Sequence, residues 1–318
     1  MRQYHPKDVL AICGSDLHLS DLTPIYRSNE PCWYSAQARI LKQLGMVQEH
    51  YQDAPLIIAG DIFDRWKPSP RLIHLAMEFM PKVYAVPGQH DLPYHNIEKI
   101  SHTGFGCLMQ SGHIELIPNQ GMTLTCANNN QVLSMYGAGW GQKIHPLTTR
   151  TRRTGTNLAV VHAYCWSGKH KYPGAVKESS SAAFQKQLAN YDAAVFGDNH
   201  KHFIRNRNKN RKVALVNSGH MQRRHSDDVL EPSVSLLLTG GEWVRLPLMT
   251  ALDKYVEAGS VYEDIDAPTQ RALAMFMDIA DEAESFETAV ADSFKRYIEQ
   301  NHTPHRTRQI LMELFHDI

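Results

Sequence analysis

The sequence predicts an α/β layered fold, and two features of the chain support this prediction. Short apolar runs, four or five residues long and partly β-branched, alternate with helical patterns along the first part of the chain. Each run stops at a polar or turn-forming residue, as buried strands covered by helices do. Hydrophobic residues make up 42% of the 318 residues, which is enough for a sizeable core.

The predicted elements follow one another in the order that such a fold requires. Apolar runs predict buried strands at residues 9–13, 56–59, 83–86, 158–161 and 193–196. Ala38, Leu41 and Leu44 recur at helical spacing and predict a helix at 35–48, and residues 71–80 show a similar pattern. The middle of the chain is richer in strands, which we predict at residues 132–136, 213–216, 234–238 and 242–246.

The composition changes near residue 250. Helical patterns follow at 267–283, 286–300 and 306–315, with a break at 301–304. We therefore expect a domain at residues 1–249 and a small helical C-terminal segment at residues 250–318. The sequence leaves open whether that segment is a second domain or packs back on the core.

Charge and cysteine usage exclude several classes of protein. The 33 basic and 33 acidic residues balance, which excludes a uniformly basic nucleic-acid coat but not a local basic patch. No apolar run is long enough to span a membrane, and the first residues do not resemble a secretory signal. The five cysteines are scattered and never in C-x-x-C spacing, which favours a reducing compartment. The sequence therefore predicts a cytoplasmic protein with no membrane partner.

Metal-binding types of side chain follow five of the predicted strands. The clusters are D-x-H at 16–18, G-D-x-x-D at 60–64, G-Q-H-D at 88–91, a lone histidine at 162 and G-D-N-H at 197–200. Ligands bind at the carboxyl ends of strands in open α/β sheets, so we expect these side chains to converge. So many carboxylates and imidazoles need cations to balance their repulsion and desolvation. Mixed nitrogen and oxygen ligands favour divalent Mn, Fe, Zn, Ni or Co over thiolate-loving ions.

These motifs, in this order, resemble those of the calcineurin-like metallophosphoesterases. The family pattern is D-x-H, G-D-x-x-D, G-N-H-D, a lone histidine after a strand and then G-H-x-H, and the G-D-I-F-D at 60–64 is most similar to the SbcD nuclease branch. The resemblance implies a layered β-sandwich flanked by helices. It also implies two divalent metal ions, with Mn favoured and Mg, Fe, Zn, Ni and Co as alternatives. A hydroxide between the two metals would be the nucleophile.

The resemblance implies two sets of metal ligands that share one residue. One set is Asp16, His18, Asp61 and His200, and the other is Asp61, Gln89, His162 and Asp198. Two positions depart from the family pattern, because Gln89 replaces an asparagine and Asp198 replaces the first histidine of G-H-x-H. An alternative register would make His200 and His202 the ligand pair.

The resemblance also implies catalytic roles beside the metals. His90 would stabilise the phosphoryl transition state or protonate the leaving oxygen, which suits an imidazole near pH 7. Asp91 would orient the ring of His90 by bonding to the ring nitrogen that faces away from the substrate. Asp64 is a candidate for a residue that contacts a metal ligand without binding the metal itself.

Two segments, residues 143–153 and 201–212, are locally basic. Phosphate backbones attract such clusters. The candidate substrate-binding residues are Lys201, Arg205, Arg207, Arg223 and Arg224. The alternative interpretation of the second segment is a solvated loop with excess charge.

The main prediction is a two-metal phosphodiesterase that acts on DNA, either an exonuclease or an endonuclease of the SbcD type in DNA repair. DNA is the predicted partner, with an SbcC-type ATPase and a second copy of the chain as further predictions. The alternative is a phosphatase or phosphodiesterase for nucleotides or another small phosphoester. A second alternative is a catalytically decayed binding or scaffold protein, which Gln89 and Asp198 would favour.

Overall fold

The computed structural model of the chain describes residues 4–168, 175–224 and 231–256. Within these residues, twelve strands form two six-stranded sheets that pack face to face, with helices on the outside. This architecture confirms the predicted layered β-sandwich flanked by helices. The strands are β1 (Val9–Gly14), β2 (Leu56–Ala59), β3 (Val83–Val86), β4 (Ile114–Leu116), β5 (Met122–Thr125), β6 (Val132–Ala138), β7 (Thr156–His162), β8 (Ala193–Gly197), β9 (Phe203–Arg205), β10 (Ala214–Asn217), β11 (Ser233–Leu238) and β12 (Trp243–Pro247).

Each sheet has a run of parallel strands; the first sheet has antiparallel strands at one edge and the second at both. The first sheet has the order β12-β11-β1-β2-β3-β4, in which β1 to β4 are parallel and β11 is antiparallel to both of its neighbours. The second has the order β5-β6-β7-β8-β10-β9, in which the four central strands are parallel. The outer strands β5 and β9 are antiparallel to β6 and β10. Parallel neighbours bring their carboxyl ends to the same edge, which is where the sequence places its polar clusters.

Four α-helices lie among the described residues. They are α1 (Trp33–His50), α2 (Pro70–Phe79), α3 (Gly104–Gln110) and α4 (Ser181–Gln187). The start of α2 has a clear local cause, because the Ser69 hydroxyl accepts a hydrogen bond from the backbone N–H of Leu72 at 3.2 Å and Pro70 occupies the first helical position. The helix α1 begins two residues before the predicted 35–48, and the buried Trp33 at its start donates its indole N–H to the Ser20 carbonyl at 3.0 Å.

The side chains of β2 show how the layers are stacked. Leu56 and Ile58 pack in the same hydrophobic cluster as Leu41 and Leu44 of α1, whereas Ile57 belongs to the cluster between the two sheets. Successive side chains of a strand point to opposite faces, so a strand covered on both faces is apolar throughout. This explains why the central strands are continuous apolar runs in the sequence.

The structure contains elements that the sequence did not predict. These are the short strands β4, β5 and β9 and the short helices α3 and α4. Strands β4 and β5 are only partly buried, so their sequences lack the continuous apolar run that identifies the central strands.

The described residues fall almost entirely in one compact unit, Met1–Tyr255, and a second unit comprises Val256–Ile318. The division lies close to the boundary predicted after residue 249. The predicted helices at 267–283, 286–300 and 306–315 lie outside the described residues, so the nature of the C-terminal segment stays a prediction. Within the part of the chain that is described, no helix is long and apolar enough to cross a membrane.

Candidate metal centre

Five strand ends deliver the polar side chains of the site. Asp16 and His18 follow β1, Asp61 follows β2, Gln89 follows β3, and His162 is the last residue of β7. The fifth is β8, which ends at Gly197 immediately before Asp198 and His200. These strands belong to both sheets, so the site lies where the carboxyl edges of the two sheets meet.

The backbone at the site is held in an uncommon conformation. Four of these residues have positive φ although none is glycine, namely Asp16 (55°), His18 (47°), Asp61 (54°) and Asp198 (77°). Residues other than glycine rarely adopt this left-handed region, and such strain clusters at functional sites. Gly60 and Gly88 permit the close approach, because a Cβ at either position would overlap the ring of His162 or the carboxylate of Asp61 respectively.

Asp16, His18 and His200 form the first group of potential ligands. The two Nε2 atoms lie 3.3 Å apart, and Asp16 Oδ1 lies 4.0 Å from Nε2 of His18 and 3.8 Å from Nε2 of His200. Ligands about 2.0–2.2 Å from a shared ion lie roughly 3–3.5 Å from one another, so these atoms are close to the spacing that one divalent ion requires. The Asp198 N–H donates to Asp16 Oδ1 at 3.0 Å and fixes the carboxylate.

Asp61, Gln89 and His162 form the second group, with Asp198 beside it. His162 Nε2 lies 3.4 Å from Asp61 Oδ2 and 2.6 Å from Gln89 Oε1. The other ring nitrogen, Nδ1, lies 2.6 Å from the Ala59 carbonyl, which only accepts hydrogen bonds, so Nδ1 carries a proton. Nε2 therefore faces two oxygen acceptors. Burial alone would lower the pKa of His162, but the negative charge of Asp61, aided by Asp16, raises it to about 10. This pocket favours a positive charge.

Asp61 lies between the two groups. Its Oδ2 atom is 3.7 Å from His18 Nε2 and 3.4 Å from His162 Nε2. This oxygen is buried and has no hydrogen-bond partner among the described residues, whereas Oδ1 accepts the backbone N–H of His90 at 3.0 Å. A buried carboxylate oxygen without a donor is costly unless a cation binds it. The residues present therefore fit divalent cations, which Asp61 and the histidines beside it would hold.

The family of the chain follows from its sequence together with this geometry. Residues 12–220, about two thirds of the chain, match the family described as calcineurin-like phosphoesterase. The matched segment begins inside β1 and ends after β10, so it includes every one of the five strand ends. The chain is a calcineurin-like phosphoesterase. Members of this family depend on two metal ions, so the chain is a metal-dependent hydrolase. The metal identity stays a prediction.

Several solved structures are similar to this calcineurin-like phosphoesterase at low sequence identity. A Staphylococcus aureus protein described as a 5'-nucleotidase, in complex with alpha-ketoglutarate, is 12% identical with a TM-score of 0.45, covering 84% of this chain and 57% of that one. A 5'-nucleotidase precursor from Thermus thermophilus is 10% identical with a TM-score of 0.44, covering 83% and 59%. The sulfate thiohydrolase SoxB from Thermus thermophilus, in complex with glycerol, is 14% identical with a TM-score of 0.45, covering 87% and 62%. The chain thus spans about three fifths of each.

No curated protein sequence matches the chain. None of the three structures above is described as an SbcD-type nuclease, so the narrower resemblance to that branch stays a prediction.

The phosphoesterase site places His90 where a substrate could reach it. The ring is exposed and lies 5.0 Å from the ring of His18, edge to face. His90 Nδ1 lies 2.9 Å from the backbone carbonyl of Asp64, so Nδ1 is the donor. One ring nitrogen of His90 lies within 4.8 Å of potential ligand atoms of His18 and Asp61.

The predicted role of Asp91 is wrong in its geometry. Asp91 is fully buried, and its two oxygens accept the backbone N–H groups of Ile62, Phe63 and Gly88 at 3.3, 3.0 and 2.9 Å. It cannot orient the ring of His90, because the Asp64 carbonyl takes that position. Burial and the neighbouring charge of Asp61 raise the pKa of Asp91. Asp91 instead ties the loops after β2 and β3 together.

Asp64 lies behind His18, one of the potential ligands, and its supporting role stays a prediction. Asp64 Oδ1 lies 3.5 Å from His18 Nδ1 and also pairs with Arg224. A carboxylate behind a metal-binding histidine fixes the ring and its tautomer. Arg224 was predicted to bind substrate, but its guanidinium contacts this carboxylate instead.

The alternative ligand His202 lies apart from the site. It belongs to none of the three groups of converging ligand atoms found in the described residues. Its ring is largely buried, and burial together with the charge of Arg245 lowers its pKa to about 4. His200 belongs to the group with Asp16 and His18, whereas Asp198, like His202, belongs to none of these groups. Asp198 Oδ1 accepts a hydrogen bond from Gln89 Nε2 at 2.9 Å, and the choice of ligand pair stays a prediction.

The sequence did not single out Trp140, which lies two residues after the end of β6. Its ring lies 6.3 Å from the ring of His162 and 5.8 Å from that of His95. Its position depends on the pairing of β6 with β7, which the sequence does not reveal. An isolated tryptophan between two glycines after an apolar run was the available signal.

Proposed function

We propose that the chain is a two-metal hydrolase of small phosphoesters, nucleotides among them. The observation that supports this most is that His18 and His162, from different sheets, both approach Asp61 Oδ2, a buried atom with no hydrogen-bond partner among the described residues. Asp16, His18 and His200 with Asp61 would hold one ion, and Gln89, His162 and Asp198 with Asp61 the other. Two bound ions would stabilise charge on the phosphoryl oxygens and supply hydroxide near neutral pH.

His90 is the group that would move a proton. Its Nδ1 proton is held by the Asp64 carbonyl, so Nε2 is the atom that can deliver a proton to the leaving oxygen or stabilise charge on the phosphoryl group. Because the ring is exposed beside His18, a phosphoryl group bound at the ligands would lie within its reach.

Gln89 and Asp198 support a working site rather than a decayed one. The two departures from the family pattern bond to each other, since the Gln89 amide donates to the Asp198 carboxylate while its carbonyl faces His162. The longer glutamine side chain thus meets an acceptor at the position where the family has a histidine. One replacement compensates for the other.

The arginines predicted to bind substrate already bond within the chain, and only Arg207 among them is exposed, which favours a small substrate over DNA. Arg205 donates to the Ser167 hydroxyl at 2.7 Å, and Arg207 donates to the Gly240 carbonyl at 2.8 Å. Arg223 donates to the Tyr26 hydroxyl at 3.1 Å, and Arg224 pairs with Asp64. These four side chains already have partners in the fold.

A nuclease is the second candidate, supported by one feature. Lys201, Lys209 and Lys212 are exposed in the segment that follows the last ligands. Such lysines could contact a phosphate backbone, with binding that weakens as salt rises. DNA, an SbcC-type ATPase and a second copy of the chain stay predictions as partners.

A substrate panel tests the proposal. The protein would be loaded with Mn²⁺, Mg²⁺, Zn²⁺, Fe²⁺, Ni²⁺ or Co²⁺, and assayed against nucleoside monophosphates, cyclic nucleotides, single-stranded DNA and duplex DNA. We expect hydrolysis of small esters with about two ions bound per chain. His90→Asn should lower kcat by about 10²- to 10⁴-fold with the metal content kept, whereas Asp61→Asn should lower the metal content.

The exposed Asp53→Asn is a control that should bind metal as the unaltered chain does. Cleavage of DNA with small esters left intact would favour the nuclease instead. Two bound ions without hydrolysis of any phosphoester would make both candidates wrong.

A further inference from the structure

Trp140 forms a wall beside the second ligand group. Strands β6 and β7 pair in parallel with Ala138 opposite Val161, so the residues that follow β6 lie next to His162 at the end of β7. The Trp140 N–H donates to the Pro87 carbonyl at 3.0 Å, which fixes the backbone against the loop after β3. The Trp140 and His162 ring centroids lie 6.3 Å apart at an interplanar angle of 62°.

A second aromatic ring lies on the other side of Trp140. The His95 ring meets Trp140 edge to face, with centroids 5.8 Å apart at 81°. His95 is exposed, and the preceding Tyr94 has 85% of its side chain in solvent. Two aromatic rings, those of Trp140 and His95, therefore lie in series beside His162, and His95 faces water.

The backbone that presents these rings is strained. Tyr94 has φ 51° and ψ 30°, and His95 has φ 58°, so two consecutive residues other than glycine are left-handed. Each such residue costs energy, and the arrangement persists where the surroundings enforce it. Exposed aromatic surface beside a site is typical of a ligand-binding face.

We propose that Trp140 and His95 form a stacking face for a flat heteroaromatic ring in the leaving group, so that the substrates are phosphoesters of nucleosides. This rests on the proposed function, because it places the reacting phosphate at the metal ligands. With the phosphate beside His162, the nucleoside extends along Trp140 towards His95. Stacking of a base on one aromatic ring typically changes affinity by about five- to a hundredfold.

A matched pair of substrates isolates the contribution of the base. Adenosine 5'-monophosphate and ribose 5-phosphate share the phosphate and the leaving 5'-oxygen and differ in the base. We expect a higher kcat/KM for the nucleotide. Trp140→Ala should lower the ratio of the two kcat/KM values about tenfold, whereas Trp140→Phe, which keeps a flat ring, should retain most of it.

Adenosine has no phosphate, so its affinity reports on the stacking face independently of phosphoester hydrolysis. By calorimetry on the metal-loaded full chain, Trp140→Ala and His95→Asn should each weaken adenosine binding several-fold. His95 is exposed, so its replacement tests the face even where Trp140→Ala fails to fold. Metal content per chain would show that the His162 ligand group is intact.

The outcomes separate the two proposals. Equal kcat/KM values for nucleotide and sugar phosphate, lowered equally by Trp140→Ala, would overturn the stacking face and leave the phosphoesterase standing. Hydrolysis of neither substrate, with adenosine still bound in a manner that depends on Trp140, would support the face and contradict the proposed activity. Absence of adenosine binding would overturn the face.

Discussion

Asp61 and Asp91 are both buried aspartates of the site, but their surroundings give them different functions. Asp61 keeps one oxygen without a donor between two histidines, which suits a cation. Asp91 has both oxygens occupied by backbone N–H groups from the loops after β2 and β3. The first can bind metal, whereas the second holds the loops that carry Asp61 and His90.

The difference predicts that Asp91→Asn acts on stability before it acts on chemistry. The amide offers one acceptor oxygen in place of two, so at least one buried N–H loses its partner. We expect the free energy of unfolding to fall by about 1–3 kcal/mol, measured by urea denaturation. His90→Asn is the matched control, because its exposed ring should leave stability unchanged while lowering kcat. A stable Asp91→Asn protein without activity would restore the catalytic role predicted from the sequence.

At the same scale, the sequence indicates the side chains that converge at the site better than it does the contacts that support them. Asp16, His18, Asp61 and His162 could be predicted because each follows a buried apolar strand within a few residues. The hydrogen-bond partner of His90 could not be predicted, because it is a backbone carbonyl. Every residue has a backbone carbonyl, so the sequence does not show which one is used. Trp140 was missed for a similar reason, since its neighbours depend on strand pairing.

Among the elements, the parallel strands place the ligands and the glycines after them allow close approach. Gly60 has φ 89° and faces the His162 ring so closely that a Cβ would overlap it. Gly45 lies within α1, and a Cβ there would meet nothing within 4 Å. A side chain therefore has room at Gly45 but not at Gly60, and only Gly60 has a positive φ.

The contrast predicts opposite effects of the same substitution. Gly60→Ala should displace His162, reduce the bound metal and destabilise the protein by more than about 1 kcal/mol. Gly45→Ala should stabilise it by about 0.5–1 kcal/mol, because alanine is the better helix former. Metal analysis and urea denaturation measure both. Retention of two ions by Gly60→Ala would contradict the close approach of β2 and β7.

Elements were predictable from sequence where they are buried on both faces. The central strands β1, β2, β3, β7 and β8 are continuous apolar runs, and all five were predicted within one or two residues. The short strands β4, β5 and β9 lack such runs and were missed. The division of the strands between two sheets was also beyond the sequence, because pairing depends on contacts between distant residues.

In the molecule as a whole, the end of the first unit is tied to its beginning by buried charges. Arg27 is fully buried, with Nη2 2.6 Å from Glu30 Oε1 and 3.3 Å from Asp253 Oδ1. Arg39 lies 3.0 Å from the same Asp253 oxygen, and the Lys254 N–H donates to Glu30 at 2.8 Å. Residues 253–255 therefore belong to the core structurally, although the sequence placed them in the C-terminal segment.

This network predicts different stabilities for two shortened chains. A chain that ends at Val256 keeps Asp253 and Lys254, whereas one that ends at Met249 leaves the buried Arg27 and Glu30 with fewer partners. Removing one partner of a buried ion pair costs about 3–5 kcal/mol, so we expect the shorter chain to unfold at clearly lower urea concentration.

Asp253→Asn in the longer chain should reproduce part of that loss, because the ion pairs with Arg27 and Arg39 are broken while the backbone remains. Asp192→Asn is the comparison at a more exposed pair, where Arg152 and Asp192 lie 2.7 Å apart and the cost should be smaller. Equal stability of the two shortened chains would show that residues 250–256 add nothing to the core. The boundary predicted after residue 249 would then be the correct one.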